Sequence, residues 1–206
     1  ALASMIWLQR KLVVIQRTAE SGIWGRGDLP RLAPVGLSSS TVAVVGLGVI
    51  GTKMNHLLEH MGARVLSVET NPKKRLNNTV SLGDALVQAD VVTLHCSLTA
   101  ENREVFNKEL LQKCKTGTIL INTARGPLLD VQAAAELIYQ GHLGGMAVDV
   151  FPEEPYANLT QLKHPQILLS PHASGYTNDL ANKVSNEVSA TLSCWIQGKP
   201  LPHLVI

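Results

Sequence analysis

Three polar residues supply a fixed cation, a carboxylate and an imidazole. Arg125 lies in Asn122-Thr-Ala-Arg-Gly-Pro127, Glu154 in Asp149-Val-Phe-Pro-Glu-Glu-Pro155, and His172 in Ser170-Pro-His-Ala-Ser-Gly175. Histidine is the usual general base near neutral pH. A carboxylate beside it favours the imidazolium form. Arginine offers a planar fork that matches a substrate carboxylate. From residue types alone, a catalytic set and a structural salt-bridge cluster account for the three equally well.

A second constellation is Gly46-Leu-Gly-Val-Ile-Gly51, with an acid, Glu69, about 20 residues on. Gly46 permits the tight turn, Gly48 lets backbone approach a pyrophosphate, and Gly51 lets the following helix pack closely on its strand. Val49 and Ile50 complete the turn and open that helix, whose N-terminal N–H groups and dipole suit an anion. Glu69 can accept hydrogen bonds from ribose hydroxyls and would repel a 2′-phosphate, so NAD is expected rather than NADP. Lys73-Lys74-Arg75 nearby is the one feature that would tolerate a phosphate.

The elements that must position these groups alternate. Short β-branched or apolar runs predict strands over 41–45, 64–69, 90–95, 118–122, 145–150 and 166–170. Helices are expected over 1–17, 49–61, 81–88, 107–114, 130–140 and 178–197. Ser81, Asn107 and Asp130 stand as N-caps and Gly141 as a C-terminal stop. On the last helix, Leu180, Val184, Val188, Leu192 and Trp195 share one face. The stretch 22–40, rich in Gly, Pro and Ser, reads as an irregular connection. Strands alternating with helices predict an α/β fold with a doubly wound parallel sheet of the Rossmann type. Such sheets bind ligands at the carboxyl ends of their strands, which is where all the groups above stand. We expect a nucleotide-binding domain over 1–175 and a C-terminal helix and tail over 176–206.

Bulk properties agree with an ordinary globular chain. Of 206 residues, 45% are hydrophobic and 17% charged, and the net charge of +2 argues for neither nucleic acid nor a membrane surface as partner. No apolar run reaches the ~20 residues that span a bilayer. The apolar stretch Met5 to Val14 carries Arg10 and Lys11 within it, unlike a signal peptide, and reads as an amphipathic helix. Cys96, Cys114 and Cys194 form no C-x-x-C pair and read as reduced, buried thiols of a cytoplasmic protein. No metal is expected: His56 and His60 have helical ligand spacing but no third ligand beside them. Trp7, Trp24 and Trp195 read as packing or interface residues.

Taken in order, GLGVIG, NTARGPLLD, AVDVFPEEP and SPHASGYT resemble the signature blocks of the D-isomer-specific 2-hydroxyacid dehydrogenases, and the likeness covers nearly the whole chain. It implies NAD as cofactor and a small 2-oxo or 2-hydroxy acid as substrate, of the glyoxylate, hydroxypyruvate or D-lactate type. It implies that Arg125 binds the substrate carboxylate and carbonyl, that His172 is the acid/base, and that Glu154 orients and charges His172. Asp149 matches the residue that holds the nicotinamide carboxamide. Thr123 and Ala124 match backbone contacts to the cofactor, and Ser174 and Gly175 further contacts in the last block. The first helix, the 22–40 segment and Trp24 resemble the family's dimer-forming arm, so a homodimer is expected.

The departures are specific. His95-Cys96-Ser97 replaces the family's usual His-x-Pro, and Val49 stands where many members carry a polar residue. The family's first third, which forms most of the substrate domain, has no counterpart here, whereas the C-terminal end looks complete. The helix and tail over 176–206 would pack on that absent domain. The chain alone is therefore expected to be weakly active or inactive. The rival reading is a non-enzymatic, NAD-responsive dimeric scaffold like the C-terminal-binding-protein corepressors, which retain the same three residues. Formate dehydrogenases usually carry Gln where Glu154 stands, which argues against formate.

Overall fold

The computed structural model describes residues 1–202. The chain divides into two compact units, Ala1–His172 and a second that begins at Ala173. In the first unit, α1 (Leu2–Gln9), α2 (Leu12–Glu20) and α3 (Leu29–Leu32) precede β1 (Thr41–Val45). Then follow α4 (Val49–His60), β2 (Arg64–Val68), α5 (Leu82–Leu86), β3 (Val91–Leu94) and α6 (Lys108–Leu111). β4 (Ile119–Asn122), α7 (Val131–Tyr139), β5 (Gly145–Val148) and β6 (Ile167–Leu169) complete it. The second unit carries α8 (Leu180–Ile196), with Val184, Val188, Leu192 and Trp195 all exposed. The last four positions of the expected C-terminal tail, 203–206, lie outside the described residues.

The six strands form one parallel sheet in the order β2-β1-β3-β4-β5-β6. Successive side chains of a strand face opposite ways, and both faces here are buried. Val42 and Val44 of β1 meet Met5 and Leu8 of α1 and Leu58 of α4 on one face. Ala43 and Val45 join Leu86, Leu111 and Leu137 on the other. The caps form as expected: Ser81 accepts from Asp84 N–H, Asn107 from Leu110 N–H and Asp130 from Ala133 N–H.

Register brings the functional loops together. Val45 lies opposite Val68 on one side and Leu94 on the other, so residues 46, 69 and 95 leave the sheet level with one another. Asn122 lies opposite Val148, and Val148 opposite Leu169, so the loops after β4, β5 and β6 start at one height. The chain reverses its winding between β1 and β3, which makes their carboxyl ends the switch point where such sheets bind ligands.

Two elements differ from expectation, one being α3 (Leu29–Leu32), a one-turn helix inside the 22–40 stretch read as an irregular connection. The single helix expected over 1–17 is broken at Lys11, which has left-handed backbone (φ 55°) and separates α1 from α2. The cause is a competitor for a helical acceptor. The Gln9 carbonyl, which a continuous helix would offer to residue 13, accepts instead from Val35 N–H at 3.0 Å, and the Gln9 side chain donates to Ser40 Oγ at 2.6 Å. An eight-residue helix without a side-chain cap is marginal alone. Burial of Met5 and Leu8, at about 1.5–3 kcal/mol each, holds α1 on the sheet. α2 buries no residue. No helix among the described residues is long and apolar enough to cross a membrane.

Candidate active site and cofactor cleft

The glycine turn leaves β1 with Gly46 at φ 93°, a conformation that disfavours side chains. The three glycines have different reasons. A Cβ on Gly46 would sit 2.6 Å from the Cys96 backbone, and one on Gly51 would sit 1.8 Å from the Gly46 carbonyl oxygen. Both are demanded by the protein's own packing. Gly48 has ordinary φ (−72°) and nothing within 4 Å of where its Cβ would be. No internal neighbour accounts for it. Open backbone at the N-cap of α4, with no side chain capping that helix, is the cradle a pyrophosphate needs. Val49 and Ile50, 76% and 67% exposed, flank it and offer the anion only their backbone N–H groups.

Glu69 ends β2 and reaches the same turn. Its Oε2 accepts from Leu47 N–H at 2.9 Å and its Oε1 from Asn71 N–H at 2.8 Å. Burial alone would push its carboxyl up, but the hydrogen bonds from Asn71 and Leu47, with Lys74 nearby, outweigh that and hold it below the usual range. Its folded value is therefore the lower one. Its bracing of the turn is complete above the ordinary carboxylate range and is lost as pH falls through the lowered value. A cleft of about 630 Å³ opens beside the turn, lined by Gly48, Glu69, Lys74, His95, Cys96 and Asn102, among others. These residues fit an adenosine diphosphate moiety: ribose at Glu69, phosphates at Gly48.

The loop after β3 answers the departure noted at His95-Cys96-Ser97. Asn102 shapes it, donating to the Ser97 carbonyl at 2.8 Å and accepting from Thr99 N–H at 2.7 Å. His95 is mostly buried, contacts Thr93 Oγ1 at 3.0 Å and is pushed down by burial to about 4. It is neutral at ordinary pH. Of the thiols expected to be buried, only Cys114 is; Cys96 and Cys194 are half-buried, and Cys96 faces the cleft because Gly46 lets its backbone come so close. Burial, and secondarily Glu69, push the Cys96 thiol up, so it is not a reactive thiolate.

Across the sheet, Arg125 leaves β4 in an extended conformation (φ −145°), exposed, with Nη1 donating to the Ala124 carbonyl at 2.6 Å. Among the described residues it forms no ion pair. Two features of its own sequence place it. Asn122, fully buried, donates from Nδ2 to the Arg125 carbonyl at 3.0 Å and accepts at Oδ1 from Ala124 N–H at 3.1 Å. Gly126 presses on the next loop, where a Cβ would meet the Phe151 carbonyl oxygen at 1.9 Å. Thr123 and Ala124 are half-buried between.

In that next loop, Glu154 Oε1 accepts from Phe151 N–H at 3.0 Å and Oε2 contacts His172 Nδ1 at 2.7 Å. The bond from His172, then the one from Phe151, hold the Glu154 carboxyl below its ordinary range. His172 has left-handed backbone (φ 53°), and its N–H donates to the Asp149 carbonyl at 2.7 Å. Asp149 itself is 3% exposed and takes the Ser170 hydroxyl at Oδ1, 2.5 Å away.

The structure thus brings Glu154 and His172 into contact, joins Asp149 to His172 through the backbone, and sets the Arg125 loop against the Glu154 loop. Among the described residues, no hydrogen bond or ion pair links Arg125 to Glu154 or His172. Ser174 and Gly175 are exposed residues of the second unit. Asn122 and Ser170 are the positioning residues that residue types alone did not single out. Their signal is a polar residue ending a buried strand. His56 and His60 are exposed, linked by a His60 ring contact to the His56 carbonyl at 2.7 Å, and no metal-binding cluster occurs among the described residues.

The family model described as D-isomer specific 2-hydroxyacid dehydrogenase, NAD binding domain, matches residues 2–174. D-3-phosphoglycerate dehydrogenase of Bacillus subtilis is 34% identical over 178 residues, covering 83% of this chain and 34% of that protein. Glycerate dehydrogenase of Methylorubrum extorquens is 29% identical over 205 residues, covering 95% of this chain and 63% of that protein. This chain therefore spans less than two thirds of either relative. Among solved structures, a D-lactate dehydrogenase from Treponema pallidum superimposes with a TM-score of 0.83 at 28% identity, over 100% of this chain and 67% of the other.

Proposed function

Because the chain belongs to the D-isomer specific 2-hydroxyacid dehydrogenase family, as its NAD-binding domain, we propose that the whole protein reduces small 2-oxo acids and oxidises the matching 2-hydroxy acids. The observation that carries this reading is the 2.7 Å contact of His172 Nδ1 with Glu154, at the same edge of the sheet as the glycine turn. Arg125 takes the substrate carboxylate in its fork and stabilises the negative oxygen that forms at C2. Glu154 occupies Nδ1, so protonated His172 presents Nε2–H, from which that oxygen takes its proton. NADH, when bound, supplies the hydride. In the oxidative direction neutral Nε2 takes the hydroxyl proton. The test is loss of NADH absorbance by the protein expressed from its whole reading frame, across glyoxylate, hydroxypyruvate and pyruvate. Turnover of none of them leaves a cofactor-binding scaffold instead.

Cofactor choice follows from Glu69. NAD(H) binds at least about tenfold more tightly than NADP(H), roughly 1.4 kcal/mol, since a 2′-phosphate would meet a carboxylate held ionised. Fluorescence titration checks this, and equal or tighter NADPH binding counts against it. Glu69→Ala narrows the gap.

The exposed arm of the first unit suits a two-fold homodimer. Ile23 and Trp24 are 58% and 89% exposed, and no residue of α2 is fully buried within the chain. Sedimentation at micromolar concentration should then give twice the chain mass, and a species of single mass would remove the dimer. The three cysteines are free thiols, which suits a reducing compartment such as the cytoplasm.

A further inference from the structure

Resting on the NAD-linked reading above, we propose that Ser170 is a positioning residue for the nicotinamide end of the cofactor, acting through the carboxylate of Asp149. Three contacts tie the ends of β5 and β6 together. Ser170 N–H donates to the Val148 carbonyl at 3.0 Å, His172 N–H donates to the Asp149 carbonyl at 2.7 Å, and the Ser170 hydroxyl donates to Asp149 Oδ1 at 2.5 Å. The first two are backbone bonds that any residue but proline could make. They already hold the strand ends and the left-handed turn at His172. Only the third needs a hydroxyl, so its contribution is separable from that of the sheet.

What the hydroxyl adds is a fixed rotation of a buried acid. Asp149 is 3% exposed, so a ligand can reach only a small part of it, at its exposed edge. Rotation about the Cβ–Cγ bond then decides whether a carboxylate lone pair faces that edge. A carboxamide NH₂ is a planar donor that needs such a lone pair in line. The Ser170 bond constrains that rotation before the ligand arrives, and it is one of the donors to an acid that would be costly to bury without them. The same acid's carbonyl holds the His172 N–H. The backbone bonds place His172, and the Ser170 hydroxyl orients the acid that stands beside it.

The test compares two ligands that differ only at that end, NADH and ADP-ribose, on the wild-type chain and on Ser170→Ala, Ser170→Thr and Asp149→Asn. Ser170→Ala should weaken NADH about tenfold, the scale of one hydrogen bond to a charged group, and leave ADP-ribose within about twofold. Ser170→Thr, which keeps the hydroxyl, should restore NADH binding. Asp149→Asn should show the same selective loss, and adding Ser170→Ala to it should change little further. Equal losses for both ligands would make Ser170 merely structural and overturn the proposal, as would unchanged NADH binding in Ser170→Ala or a threonine variant no better than alanine. A wild-type chain that binds neither ligand overturns the NAD reading itself, an outcome distinct from the others.

Discussion

His172→Ala lowers turnover of 2-oxo acids by about 10²–10⁴-fold in the protein expressed from its whole reading frame, the range that a positioned acid or base contributes. NADH affinity stays nearly unchanged, because the ring touches Glu154 and no part of the glycine turn. Steady-state rates and NADH titration on the same preparation separate the two effects. Glu154 is ionised across the working range, its carboxyl being held low first by the bond from His172. Glu154→Gln removes the charge that braces His172 Nδ1, and turnover falls while NADH affinity stays nearly unchanged. Undiminished turnover in His172→Ala, or in Glu154→Gln, would refute the assignment.

Gly48→Val weakens NADH by about 10²-fold while leaving the thermal midpoint within about 2 °C of wild type. The effect is steric. Apart from its chain neighbours, nothing of the protein lies within 4 Å of the missing Cβ, so a side chain there enters open space. A pyrophosphate approaching the same backbone does not, and it loses charge-assisted bonds to the helix N-terminus. Gly51→Ala and Gly126→Ala give the opposite result. Each would drive a Cβ to within 2 Å of a backbone carbonyl oxygen, 1.8 Å at Gly46 and 1.9 Å at Phe151. Overpacking of that severity costs at or above about 3 kcal/mol and shows as loss of fold rather than of ligand alone. A Gly48→Val chain that still bound NADH tightly would mean that the turn holds no phosphate.

The strands and most helices were legible because their signals are local. Val42, Val44, Val65 and Val91 sit in β-branched runs that only a sheet buried on both faces accommodates, and Ser81, Asn107 and Asp130 cap helices within three residues of themselves. The break between α1 and α2 was not legible, since the group that takes the Gln9 carbonyl is Val35, far along the chain and in a segment without periodicity. The candidate site divides the same way. The glycine turn, Glu69, Arg125, Glu154 and His172 stand out because each follows a strand in a recognisable block. Asn122 and Ser170 act by bonds within loops, and Cys96 reaches the cleft through the curvature of the Gly46 turn. Such details depend on backbone paths that residue types do not encode.

The two hydrogen bonds that Glu69 accepts have a bearing on how cofactor preference could change over evolutionary time. The residue proposed above to discriminate against a phosphorylated ribose is also a strut, with Leu47 of the glycine turn hanging from one oxygen and Asn71 from the other. Exchanging it for a small neutral residue would admit the extra phosphate and, in the same step, release the turn that must hold the other two. Lys73, Lys74 and Arg75 already stand nearby as counter-charges, yet they are of little use until the turn acquires another support. A shift of specificity in this lineage is therefore a path of at least two substitutions, whose first step lowers fitness unless the new brace comes before the old one is lost.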